Sequence, residues 1–136
     1  MTHLLTISTN GPGLYEFTDD IKPLAKGDGT LTIFVRHTSC SLLIQENADP
    51  EVRSDLQAFF HNLVPPTDDP RMSYLTHTSE GPDDMPAHIK AAMLPVSLTI
   101  PVISGRLALG TWQGIYLFEH RHKPHERQVA VAMSLG

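Results

Sequence analysis

The chain reads as an α+β domain built mainly on antiparallel strands. Three observations lead there. Short runs rich in β-branched and aromatic residues outnumber helical ones. They are separated by Gly, Pro and Asn turn signals, so they arrive as hairpins. Only two stretches carry apolar residues at helical spacing or a helix start, and neither alternates regularly with strands as a parallel sheet requires. At 136 residues with 40% hydrophobic content the chain fits one domain, residues 1–136, able to bury a core.

In order, His3 to Ser8 alternates as a strand, and Asn10-Gly11-Pro12-Gly13 turns the chain. Residues 14–19 read as a second strand, so the opening reads as a hairpin. Pro23 limits residues 20–24 to a short helical turn. Leu31 to Val35 is a strand, followed by His37-Thr38-Ser39-Cys40 and a further strand over Ser41 to Gln45. A hairpin there would bring His37 and Glu46 to neighbouring strand ends. Asp49-Pro50 is a helix start, and Val52, Leu56, Phe59, Phe60 and Leu63 recur at helical spacing up to Pro65-Pro66. Residues 65–86 form a long polar loop, a length that in a small domain often carries function. Pro86 to Met93 reads as a short helix. Val96 to Ile103 is a strand whose Pro101 implies an edge, a bulge or a strand start. Ser104-Gly105-Arg106 turns into a strand start at Leu107 to Leu109, Gly110 breaks it, and strands over Gly114 to Glu119 and His125 to Leu135 close the chain.

Composition excludes several classes. A net charge of −5 argues against a general nucleic-acid binder. No run approaches the roughly 20 apolar residues of a membrane helix, and the N-terminus lacks a secretory pattern. With the single Cys40 no internal disulfide can form, so a cytoplasmic location is expected. Arg106, Arg121, His122, Lys123, His125 and Arg127 cluster late in the chain, as a solvated loop or as a local anion site.

Chemistry concentrates on five of the eight histidines: His37, His77, His88, His120 and His122. With Glu46, Asp49, Glu80, Asp83, Asp84 and Glu119 they form an imidazole-plus-carboxylate set suited to a divalent metal or to proton transfer near neutral pH. In HTSCSLLIQENADP, His37 ends a strand and is either a turn residue or a site residue. Cys40 reads as a small buried hydrophobe and Asp49 as a helix cap. In YLTHTSEGPDDMPAHIKAAM, a loop with His77 and Glu80 leads into a helix with His88; the spacing matches no standard zinc signature. Asp84 is either a ligand or a cap. In GTWQGIYLFEHRHK, Gly110 and Gly114 bracket Trp112, which reads as core, and Gln113, which can hydrogen-bond a substrate. Glu119 is a candidate acid or base, or a rim partner of Arg121 or Arg127.

These segments, the last extended back to SLTIPVISGRLALGTWQGIYLFEHR and with the Ser97 to Ile115 block the most specific, are similar to the YjbQ-like family over nearly the whole chain. The resemblance implies an α+β homotrimer. It also implies the secondary thiamine-phosphate synthase activity associated with that family, which joins a hydroxymethylpyrimidine diphosphate to a thiazole phosphate and releases pyrophosphate. Family positions carried over are His37, Ser39, Glu46, Asn47, Asp49, His77, Glu80, Asp84, His88, Gly110, Thr111, Gln113 and Glu119. Pro82-Asp83 departs from an Asn-containing segment of many relatives, and Cys40 stands where Ala is common, which argues against a catalytic thiol. The implied site gathers His37, His77 and His88 in a polar pocket at a subunit boundary, around a divalent ion, Mg or Zn-like, or a bound anion. His37, Glu46, Glu80 and Glu119 would serve catalysis. Ser39, Asn47, Asp84, Gln113 and Arg121 would hold a small phosphorylated metabolite. A metal- or anion-binding trimer without catalysis is the alternative reading, and a scaffold with purely structural histidines is a third.

Overall fold

The computed structural model describes residues 1–136. Its eight strands form two antiparallel sheets. Strands β1 (Thr2–Asn10), β8 (Pro124–Leu135), β3 (Gly29–Val35), β5 (Ser97–Ile103) and β6 (Arg106–Leu107) lie side by side in that order; β2 (Gly13–Glu16), β7 (Gln113–Glu119) and β4 (Cys40–Glu46) form the second sheet. Helices α1 (Thr18–Ile21), α2 (Pro50–Leu63) and α3 (Asp84–Met93) complete the α+β architecture.

Period-two alternation sets the core. Leu31, Ile33 and Val35 of β3 and Val129, Val131 and Met133 of β8 are buried, while Phe34 and Gln128 face out. They join Leu42, Ile115 and Leu117 of the other sheet, with Phe17 and Ile21, in one cluster. Strand β7 is buried at every position from Gly114 to Glu119, because it is central and both its faces are covered. Its second face meets α2, where Phe60 packs edge-on to Phe118 at 5.8 Å and Arg53 lies over Tyr116.

Helix α2 starts as its sequence dictates: the Asp49 carboxylate accepts the Glu51 N–H at 2.9 Å and Pro50 takes the first position. Yet the helix has no buried residue, and Phe59 and Leu63 are exposed. The long loop contains a 3₁₀ turn at Pro70–Met72, and α3 begins at Asp84, two residues earlier than Pro86 suggests.

Two expected hairpins do not form. β1 pairs with β8 and β2 with β7, so the chain crosses between sheets at Gly11-Pro12-Gly13. Gly11 there has φ +99°, and the Tyr15 hydroxyl, which accepts the Asn10 N–H and donates to the Gly11 carbonyl, ties the corner. Residues 14–19 are accordingly not one strand: Phe17 is buried and α1 begins at Thr18. β3 and β4 also lie in different sheets, so His37, before the start of β4, and Glu46, its last residue, are at opposite ends of that strand, not at neighbouring strand ends. Pro101 is tolerated in β5 because its carbonyl, bonded to the Ala108 N–H, faces the edge side, where β6 reaches only Val102 and Ile103. The β5–β6 connection is a two-residue turn with Ser104 and Gly105 both at positive φ.

Candidate functional site

The sequence-predicted residues fall at the two ends of β7, about 20 Å apart at the usual rise of a seven-residue strand. At the Glu119 end, the loop before α3 and the first turns of α3 bring His77, Asp84 and His88 together, with one ligand atom from each within 4.8 Å of the others. Asp84 is the pivot and its side chain is 4% exposed. Oδ2 lies 2.8 Å from His77 Nε2, and Oδ1 lies 3.5 Å from His88 Nε2. The helix supplies the second contact, since residues 84 and 88 are four apart and share a face. Glu80 stands 3.2 Å from the same His77 nitrogen on the solvent side.

Arg121 holds this arrangement from the other side. Its Nη1 donates to Asp84 Oδ1 at 2.6 Å, its Nε to Asp83 Oδ2 at 3.0 Å, and its Nη2 to the Glu80 carbonyl. Burial works against the Asp83 carboxylate, but the His122 N–H and Arg121 outweigh it and keep its pKa below the usual carboxylate range. In this arrangement Arg121, expected from the resemblance to hold substrate, braces Asp84 and Asp83. The late basic residues are not one patch: Arg127 is buried, and Arg106 lies at the far end of the sheet.

Glu119 is neither a rim partner nor free. It is fully buried and accepts hydrogen bonds from Thr9, from the Arg127 guanidinium through two nitrogens, and from the His120 and Arg121 amides. Burial would raise its pKa, but Arg127 and Thr9 outweigh that and hold it low. Its lone pairs are occupied, which suits a structural keystone. Arg127 also reaches the Ser39 carbonyl, so Ser39 is joined to this buried pair through its backbone.

His37 stands outside the three-residue cluster. Its Nε2 accepts the Gln128 N–H at 2.8 Å, and burial, aided by Arg127, lowers its pKa. It does share a shallow apolar cavity of about 380 Å³ with His88. Cys40 is buried and burial pushes its thiol up to about 12, so the reading as a small hydrophobe holds.

Sequence reasoning missed His120 and Lys90 as buried groups. His120 is 3% exposed; its Nε2 meets the Ser41 hydroxyl at 2.9 Å, its Nδ1 has no partner, and burial followed by Lys90 lowers its pKa to about 3. Burial likewise lowers Lys90. The signal for His120 was its place at the end of an apolar central strand.

At the other end of β7, Asn47 and Gln113 line a cavity of about 660 Å³. Gln113 Oε1 accepts the Gly110 N–H at 2.7 Å and its own N–H returns to the Gly110 carbonyl, closing a tight turn. That turn puts Trp112 at its tip, 64% exposed, not in the core. Glu46, opposite Gln113, caps the Asp49 N–H and is remote from the histidines.

A model of the family described as "UPF0047 protein YjbQ-like" matches residues 3–135. The chain belongs to the YjbQ-like family. It is 50% identical over 135 residues to the UPF0047 protein sll1880 of Synechocystis, covering 96% of this chain and 89% of that one. It is 41% identical over 134 residues to the UPF0047 protein YjbQ of Salmonella typhimurium, covering 95% and 94%. Among solved structures, a conserved hypothetical protein of Thermus thermophilus, TT1486, superposes with TM-score 0.84 at 32% identity, covering 97% of this chain and 99% of that one. A hypothetical protein of Aeropyrum pernix, APE1520, gives 0.86 at 26% identity, covering 100% and 99%. The α+β fold of this YjbQ-like chain is therefore shared along its whole length. No helix in it is long and apolar enough to cross a membrane.

Two histidines and one carboxylate are a common donor set for zinc and similar ions. Ligands about 2.0–2.1 Å from a tetrahedral ion stand roughly 3.3 Å apart. The two imidazoles approach different Asp84 oxygens, at 2.8 and 3.5 Å, and one ligand atom from each of the three residues lies within 4.8 Å of the others. His77 and His88 keep 47% and 34% of their side chains exposed, which leaves a solvent side open.

Proposed function

We propose that His77, Asp84 and His88 hold one divalent cation, and that the assembled protein is a transferase on a pyrophosphorylated small metabolite, of the thiamine-phosphate synthase type. The observation that supports this is the His77–Asp84–His88 cluster itself, with Asp84 braced by Arg121 and the two imidazoles open to solvent. A bound cation there would supply charge neutralisation for a leaving pyrophosphate. The chain's own groups have definable parts. Asp84 sets one oxygen toward each imidazole and is itself held by Arg121. Glu80, exposed beside His77, is the carboxylate placed to accept or return a proton at the open side. In the reaction, the carbon–oxygen bond of the pyrimidine diphosphate breaks, pyrophosphate leaves with the electron pair, and the thiazole nitrogen bonds to the freed methylene carbon. The reading includes a homotrimer, as the family resemblance implies, and a cytoplasmic location.

One observation favours the non-catalytic alternative, a trimer that holds a metal or an anionic metabolite. Arg121, Glu119 and His37 are all engaged within the chain. Each is thereby occupied before any substrate arrives. The test is product formation: thiamine phosphate and pyrophosphate appear with the metal-loaded protein and fall at least about tenfold, 1.4 kcal/mol of transition-state stabilisation, in Glu80→Gln. Metal bound at the cluster with no product formed would leave the binding trimer as the function.

A further inference from the structure

The cavity at the Gln113 end of β7 is a separate feature, about a strand's length from the histidine cluster. We propose that it is a second ligand site, for an amphoteric small metabolite carrying one anionic group and one amine. The inference does not depend on the metal reading.

The cavity is about 660 Å³, within the range that small-molecule sites occupy. Its lining comes from different elements and carries both signs of charge: Arg106, Glu16, and Lys22 and Asp19, which pair with each other. Arg106 follows the Ser104-Gly105 turn, which the Asp28 carboxylate and the Gly27 carbonyl hold in place through their bonds to the Ser104 and Gly105 amides. Arg106 pairs with no carboxylate of the chain. Glu16 stands at the end of β2, its Oε2 oriented by the Thr18 hydroxyl at 2.8 Å. Leu107 and Leu109 add an apolar wall for a carbon skeleton.

The floor is shaped for this approach. A Cβ at Gly114 would stand 2.6 Å from Glu16 Oε2 and 3.2 Å from Asn47 Cβ. The missing side chain at Gly114 leaves the room in which the Glu16 carboxylate and Asn47 lie close over β7. A guanidinium with no carboxylate partner and an oriented carboxylate lining one cavity match a ligand that carries both an acidic group and an amine. Matched opposite charges also disfavour a ligand that carries only one of them, since it would leave the other wall unpaired.

The sole tryptophan, Trp112, is exposed between two lining residues, Thr111 and Gln113, and reports on the site directly. The experiment titrates the full chain with O-phosphoethanolamine, read by calorimetry and by Trp112 fluorescence. Inorganic phosphate and ethanolamine are titrated in parallel. The expected result is saturable binding, with a dissociation constant of about 1 mM or tighter. Each fragment alone, and each of Arg106→Ala and Glu16→Gln, should bind at least about tenfold more weakly, with melting curves confirming the fold. His88→Ala and chelator should leave this binding unchanged, which separates it from the histidine cluster. Absence of saturable binding overturns the site. Phosphate alone binding as tightly, or variants that bind like the parent, overturns the amphoteric ligand class.

Discussion

Glu119 and Arg127 offer the sharpest quantitative test of the fold around the site. Both are buried, and the carboxylate takes hydrogen bonds from the guanidinium, a threonine hydroxyl and two backbone amides. Replacing Arg127 by Met removes the charge and keeps much of the volume, leaving a carboxylate buried without its cation. Breaking one side of such a pair costs about 3–5 kcal/mol. For a domain of this size, 1 kcal/mol shifts Tm by roughly 4 °C, so the variant should melt about 12–20 °C lower at pH 7. The pH dependence follows from the sign of the shift. In the parent, Glu119 is held below its ordinary value near 4.5, so its contribution is present at neutral pH and is lost as pH falls through the folded-state value. In Arg127→Met, burial acts with little to oppose it and pushes that pKa up. The carboxyl then takes a proton as pH falls through the raised value, and the gap to the parent narrows. Thermal and urea melts by circular dichroism at pH 7 and pH 4.5 measure both effects. The double variant Glu119→Gln, Arg127→Met should recover much of the loss. A drop of under about 1 kcal/mol at pH 7, or a gap that widens at pH 4.5, would refute the reasoning.

Other outcomes follow from single sites. His120 should stay neutral in the folded protein down to about pH 3, seen as an unchanged imidazole nitrogen resonance; because the unfolded chain takes up that proton from pH 6.5 downward, the fold loses stability through that window as pH falls. The Cys40 thiol, pushed up to about 12, should react with a thiol reagent only at the rate of unfolding; prompt labelling of native protein contradicts its burial. Gly29→Ala should be among the most damaging small changes, since a Cβ there would stand 2.0 Å from the Ser134 carbonyl oxygen in the β3–β8 pairing; a parent-like urea midpoint would contradict the register.

Most strands were legible because their burial alternates with period two, as in Leu31, Ile33 and Val35. The cap at Asp49-Pro50 was equally readable, since its signal is local. Strand partners were not. Gly11-Pro12-Gly13 signals a change of direction but does not say whether the next strand returns to its neighbour or crosses to another sheet. That choice rests on β8, more than a hundred residues away. The site divided for the same reason. His77, Asp84 and His88 lie on one loop and one helix, so their meeting is short-range and readable. His37 and Gln113 depended on long-range pairing, and the pairing separates them from the cluster. Trp112 was misjudged as core because composition favours burial, whereas the Gly110–Gln113 turn places it at the tip.

The most direct measurement is elemental analysis of tag-free protein after exposure to zinc and other divalent ions, with His77→Ala, Asp84→Asn and His88→Ala alongside. The account predicts about one ion per chain in the parent and loss in His77→Ala and His88→Ala, with circular dichroism unchanged. Retention of metal in both histidine variants, or none in the parent after soaking, would contradict it.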